Sequence, residues 1–157
     1  METRIGIKPD NLSSVAHSLS KVLADEFLLY TKTLNAHWNV EGEDFHSKHL
    51  FFESQYKQLS EIIDEVAERI RSIGHYTPAT LKQFLELTQF TEAPKEKNDG
   101  EEFIKELLED HQSLIIELRK NINLFADDLK DAGSSDFLTG LMEEHEKMAW
   151  MLRAHFR

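Results

Sequence analysis

Phe45, His49, Phe52, Tyr56, Leu59, Ile63, Val66, Ile70 and Ile73 follow one another in alternating steps of four and three residues. A β-strand turns successive side chains to opposite faces and cannot use that spacing. A helix of 3.6 residues per turn gathers all nine into one stripe. Such a helix runs for about 40 Å before Gly74 stops it. It cannot bury the stripe alone, so other helices must pack alongside.

Three further segments have the right period. From Asp10 to about Asn39, the residues Ala16, Leu19, Leu23, Phe27, Tyr30 and Leu34 recur every three or four positions. Pro9, Asp10 and Asn11 are the entry signals, and Val40-Glu41-Gly42-Glu43 breaks the pattern. Beyond Gly74, His75-Tyr76-Thr77-Pro78 reads as a turn, Leu81 to Leu87 as a short helix and TEAPKEKNDG as a polar loop. Asp99 stands three residues before Glu102, the spacing of a capping box. A third long helix follows through Ile104, Leu107, Leu108, Ile115, Leu118, Ile122, Phe125 and Leu129. Gly133-Ser134-Ser135 is expected to end it, and a fourth runs from about Asp136 through Leu138, Leu141, Met148 and Leu152.

Short connections make the first pair and the last pair antiparallel. The connection between the second and third long helices is about 25 residues, enough to cross the bundle and return parallel. The expectation is therefore a single all-α domain over residues 1–157: a four-helix bundle running up-down-down-up, with a short helix in its crossover. That is the ferritin-like arrangement.

Composition removes several chemistries. The absence of cysteine excludes disulfides, thiolate nucleophiles and cysteine-held zinc or iron–sulfur sites. METRIGIKPD lacks the apolar run of a signal peptide and no stretch has the length of a membrane span, so a soluble, cytoplasmic protein is expected. Acids outnumber bases 29 to 18, for a net charge of −11. Such a surface repels nucleic acid and attracts cations.

The cations have candidate ligands. HWNVEGEDFHSKHLFFE, from His37 to Glu53, concentrates histidines and acids at the turn between the first two helices. Around the second helix His49, Glu53, Asp64 and Glu68 fall at about 0°, 40°, 60° and 100°, one face beside the apolar stripe. A solvated helix edge is the plain reading of any one of them. His49 and Glu53 are one turn apart and can share an ion, as can Asp64 and Glu68. The two pairs lie about 22 Å apart along the helix, too far for one ion. Either they are unrelated, or the missing half of each site comes from another subunit. An antiparallel pair of these helices about a two-fold axis would make two such sites at once.

The pattern His37-Trp38-x-Val40-x-Gly42-x-x-Phe45-x-x-x-His49-x-x-Phe52-Glu53, followed by Asp64-x-x-Ala67-Glu68-Arg69-Ile70, resembles the Dps family over essentially the whole chain. At Glu53 many members of that family carry Asp. The resemblance implies a homo-oligomer, a dodecamer around a cavity, with ferroxidase centres at its two-fold interfaces. It implies His37, His49 and Glu53 on one side of each centre and Asp64 and Glu68 on the other. Such donors suit Fe²⁺ or Mn²⁺, with Zn²⁺ and Co²⁺ as competitors. The implied reaction takes Fe(II) to Fe(III), preferably with hydrogen peroxide, and stores the ferric mineral inside the shell, sparing cell and DNA from oxidative damage. Trp38 is implied as an electron donor or radical trap; the sequence by itself favours a packed aromatic there.

Other readings compete. Only Glu43 and His46 have the Glu-x-x-His spacing of intrasubunit two-iron sites, and His46 reads as a surface residue near the centre. His111 and His145 fall on apolar stripes and are expected to be buried and hydrogen-bonded; His17, His75 and His155 are expected at the surface. Asp127, Asp128 and Asp131 crowd a helix end where the macrodipole disfavours acids, whereas Asp136 opens the next helix. In the Dps family this region lines pores, so Asp131 and Asp136 are the candidates for cation entry. The alternative function is a nucleoid-associated protein that coats DNA. Members that do so carry a lysine-rich extension, whereas residues 1–10 set Arg4 and Lys8 against Glu2 and Asp10, and the far end offers only Arg153 and Arg157. Direct DNA binding is not expected, nor is a membrane. A metal-free structural bundle would leave the five-ligand pattern unexplained.

Overall fold

The structure, a computed structural model, describes residues 3–92 and 98–156. Residues 93–97 of the expected polar loop lie outside the described residues, as do Glu2 and Arg157. Five α-helices follow in order: α1 (Pro9–Asn39), α2 (Phe45–Ser72), α3 (Leu81–Leu87), α4 (Gly100–Asn123) and α5 (Ala132–Arg153). A π-helical turn, Leu124–Asp128, extends α4. The bundle is all-α, with α1 packed along α2, α4 along α5, and α3 in the crossover against α1.

Local chemistry sets the ends. Pro9 occupies the first turn of α1, where its missing N–H costs no hydrogen bond. Gly74 closes α2 at φ +95°, donating to the Arg71 carbonyl while the His75 N–H reaches that of Ile70. That bond pair is the Schellman cap, and its left-handed position suits glycine. Thr80 caps α3 by accepting from the Gln83 N–H, and the Gln83 side chain accepts the Ala79 N–H in return. Asp99 caps α4 through the Glu101 N–H at 2.7 Å.

The boundary between the last two helices differs from expectation. Gly133-Ser134-Ser135 does not end a helix; it lies in the first turn of α5, which begins at Ala132. After the π turn, Lys130 takes φ +57° and Asp131 becomes the N-cap. Asp136 therefore sits in the second turn of α5 instead of opening it. Three small residues read as a linker, yet a good cap just upstream is enough to start a helix through them.

The core runs the length of the bundle through Leu19, Leu23, Leu29, Phe52, Leu59, Val66, Leu114, Leu118, Phe125 and Leu138, all buried. Crossover helix α3 is fastened at two points: Phe84 stacks on Phe27 at 4.5 Å, and Asp25 accepts from Thr88 Oγ1, Gln89 N and Gln89 Nε2. Burial pushes the Asp25 carboxyl up despite those hydrogen bonds.

The stripe on α2 divides into two edges. Phe52, Leu59, Val66, Ile70 and Ile73 are buried, whereas His49, Tyr56 and Ile63 are half-buried and Phe45 is exposed. The helix thus leaves uncovered the edge adjoining Glu53, Asp64 and Glu68.

Candidate metal centre

The tight turn at Val40–Asp44 folds α2 back along α1 and brings His37 level with His49. Their rings stack with centroids 3.8 Å apart and planes 21° from parallel. His37 Nδ1 lies 2.8 Å from the backbone oxygen of His49, and His49 Nδ1 lies 2.8 Å from that of His37. A carbonyl only accepts, so both Nδ1 atoms carry hydrogen and donate. In each neutral ring the lone pair is then on Nε2. The clasp thus fixes orientation and tautomer of both rings, as the outer-shell hydrogen bond of a metal-binding histidine does. Tyr56 packs edge-on against His37 at 5.1 Å.

Glu53, one turn after His49, is half-buried and accepts a hydrogen bond from Lys57. Its carboxyl is held below the usual range, first by that hydrogen bond, then by the Lys57 charge, with smaller contributions from His37 and His49. The two imidazoles therefore stand together at the α1–α2 corner, with Glu53 near enough to feel their charge, though the three do not converge on an ion-sized site.

Asp64 and Glu68 are exposed on the same face of α2, about 16–22 Å farther along the axis. Within one chain they stand well apart from His37, His49 and Glu53. Among the described residues, no three His, Asp or Glu side chains of one chain converge on an ion-sized site. Trp38 is 67 % exposed, unlike the packed aromatic that the sequence by itself favoured. His46 and Glu43 are exposed, as a surface reading requires.

The acids near α5 separate. Asp131 is 1 % exposed, accepts from Ser134 N at 2.9 Å and Ser134 Oγ at 2.6 Å, and faces Arg69 at 3.4 Å. The expectation of Asp131 as a solvent-lining entry residue is corrected on this point: it is a buried cap. Asp127, Asp128 and Asp136 are exposed.

His111 and His145 are fully buried, as their stripe positions predicted, and their Nδ1 atoms lie 2.9 Å apart. His145 Nε2 meets Glu26 Oε1 at 2.8 Å, inside the bundle. Burial, then the neighbouring His145, pushes the His111 imidazole well below its ordinary value. The sequence reading missed Glu26. Its signal was position, three residues after Leu23 and four before Tyr30 on the apolar stripe of α1.

A bundle of two antiparallel helix pairs joined by one long crossover is the ferritin-like class. The family model described as a ferritin-like domain matches residues 16–157. The chain belongs to that ferritin-like family, in its Dps branch. DNA protection during starvation protein 2 of Bacillus anthracis is 39% identical, over 89% of this chain and 94% of that protein. A low temperature-induced protein of Nostoc sp. is 40% identical, over 96% of this chain and 84% of that protein. The crystal structure of a Dps protein from Vibrio cholerae O1, described as a member of the ferritin-like diiron-carboxylate proteins, superposes with a TM-score of 0.92. Its identity is 28%, covering 100% of this chain and 98% of that one.

Proposed function

We propose that this chain is a ferroxidase and iron store that takes Fe(II) to Fe(III) at centres shared by two subunits. The observation that carries the reading is the placement of two half-sites on one uncovered face of α2. His49 and Glu53 lie as far before the boundary between Gln58 and Leu59 as Glu68 and Asp64 lie after it. A two-fold axis crossing α2 there sets His49 level with the partner copy's second acid pair, twice over. The half-buried edge of His49, Tyr56 and Ile63 is the surface such a partner would cover.

Each complete centre then has two imidazoles, oriented by their clasp, and three carboxylates. Iron is the substrate. Two Fe²⁺ supply the two electrons that one hydrogen peroxide needs: with two protons, the O–O bond breaks and two Fe³⁺ and two waters result. Pairing the electrons avoids a one-electron product, the hydroxyl radical. Hydrogen peroxide is the preferred oxidant in this reading, and the ferric product collects as mineral inside a dodecameric shell. In this reading Trp38, exposed and next to His37 in sequence, donates an electron to the centre or traps a radical. Asp136 serves cation entry. The setting is the cytoplasm, and among the described residues no helix is long and apolar enough to cross a membrane. With 29 acids against 18 bases, removal of iron and peroxide suits DNA protection better than coating does.

Asp64→Asn tests the reading. It should slow peroxide-dependent iron oxidation at least tenfold while the oligomer elutes unchanged; unaltered kinetics would place the chemistry elsewhere.

A further inference from the structure

Lys57 lies one helical turn beyond Glu53 and donates to its Oε1 at 2.5 Å. Glu53 is the carboxylate that shares the α1–α2 corner with His37 and His49. One of its two oxygens is therefore occupied by an ammonium before any cation arrives. We propose that Lys57 is a tethered counter-ion that competes with divalent metal for Glu53 and so sets how tightly the centre holds its ion. The inference rests on the reading of His37, His49 and Glu53 as half of a metal centre.

Two features of the pair fit that role. In the lone protomer the Lys57 side chain is 63% exposed and that of Glu53 30%, so the ammonium has room to swing off the carboxylate; in the assembled centre it moves along the α2 face that the partner adjoins. A cation needing both oxygens of Glu53 must displace Lys57; one using the free oxygen still meets a like charge a few ångströms away. Either route weakens binding. Lys57 also remains attached by its own stem and returns when the ion leaves. For a centre that passes its ion on to a store, that return promotes release. An exposed ion pair is weak, so the penalty on metal affinity is a few-fold, up to about fivefold.

The probe is Zn²⁺, which undergoes no redox change, titrated calorimetrically into metal-free oligomer. Lys57→Gln should bind it more tightly than the unmodified protein, by up to about fivefold, with the gap narrowing as salt rises. Lys57→Arg, whose fork engages both carboxylate oxygens, should bind it more weakly. Lys120→Gln is the control. It removes the same charge from an exposed pair, with Glu117, near the far end of α4, and should leave affinity unchanged. Glu53→Gln should weaken Zn²⁺ binding and abolish the difference that Lys57→Gln makes. If Glu53→Gln weakens binding but Lys57→Gln matches Lys120→Gln, the counter-ion role is wrong and the metal centre stands. If Glu53→Gln changes nothing, the metal centre is misplaced and the inference falls with it.

Discussion

Asp131→Ala should destabilise the protein and leave iron chemistry intact. Three groups depend on this carboxylate: the Ser134 N–H at 2.9 Å, the Ser134 hydroxyl at 2.6 Å and the Arg69 guanidinium at 3.4 Å. Losing an N-cap costs about 1 kcal/mol. Ser134 is fully buried, so its hydroxyl would be left without its acceptor, a further cost of about 1–2 kcal/mol. The Arg69 side chain is 26% exposed and its contact long, so water takes over much of that contribution. The total is about 2–3 kcal/mol, or a fall in melting temperature of roughly 4–12 °C for a chain of this size. Asp131→Ser, which keeps a capping oxygen, should recover about 1 kcal/mol. The assay is thermal unfolding at one fixed protomer concentration, since assembly makes stability concentration-dependent. Iron oxidation is measured on the same samples at 20 °C. A melting temperature within 1 °C of the parent, with iron uptake slowed in both variants, would refute the cap and restore Asp131 to the entry path.

Acid should weaken the bundle through His111. Its imidazole is depressed in the fold, so below the ordinary value of 6.5 the unfolded chain takes up a proton that the folded chain refuses. Stability from this group is present above pH 6.5 and is lost as pH falls below it, by at most about 1.4 kcal/mol per pH unit. His111→Asn should flatten urea-unfolding stability between pH 6.5 and 5.5 relative to the parent, and an unchanged slope would contradict this. Metal-free protein should leave duplex DNA unretarded in a gel-shift assay at moderate salt; retardation that fades steeply with salt would reveal a basic patch.

Periodicity made most of the fold legible. The stripe from Phe45 to Ile73 defined α2, and Leu81–Leu87 has the predicted bounds because Thr80 and Gln83 cap it by local chemistry alone. The common face of the four candidate ligands was legible too, since 100° per residue puts His49, Glu53, Asp64 and Glu68 side by side in any straight helix. What escaped were contacts between elements. Which ring nitrogen of His37 is free depends on its standing level with the His49 carbonyl, and no spacing within one helix reports that. Glu26 drew no notice among the many acids of the chain; only the meeting of α1 with α5 shows it paired to His145. Asp131 was expected on an entry path, whereas it caps α5 and faces Arg69, far away in sequence.

Co-expression of His49→Ala chains with Asp64→Ala chains tests the shared centre most directly. Each variant alone lacks every complete centre. In a mixed dimer one centre loses both side chains, while the other takes His49 from the Asp64→Ala chain and Asp64 from the His49→Ala chain. Random pairing makes half the dimers mixed, so about a quarter of all centres should return. With co-assembly established by mass spectrometry of differently tagged chains, peroxide-dependent iron oxidation should rise to about a quarter of the parent rate. Activity no higher than that of the single variants, in shells shown to be mixed, would contradict a centre built from two chains.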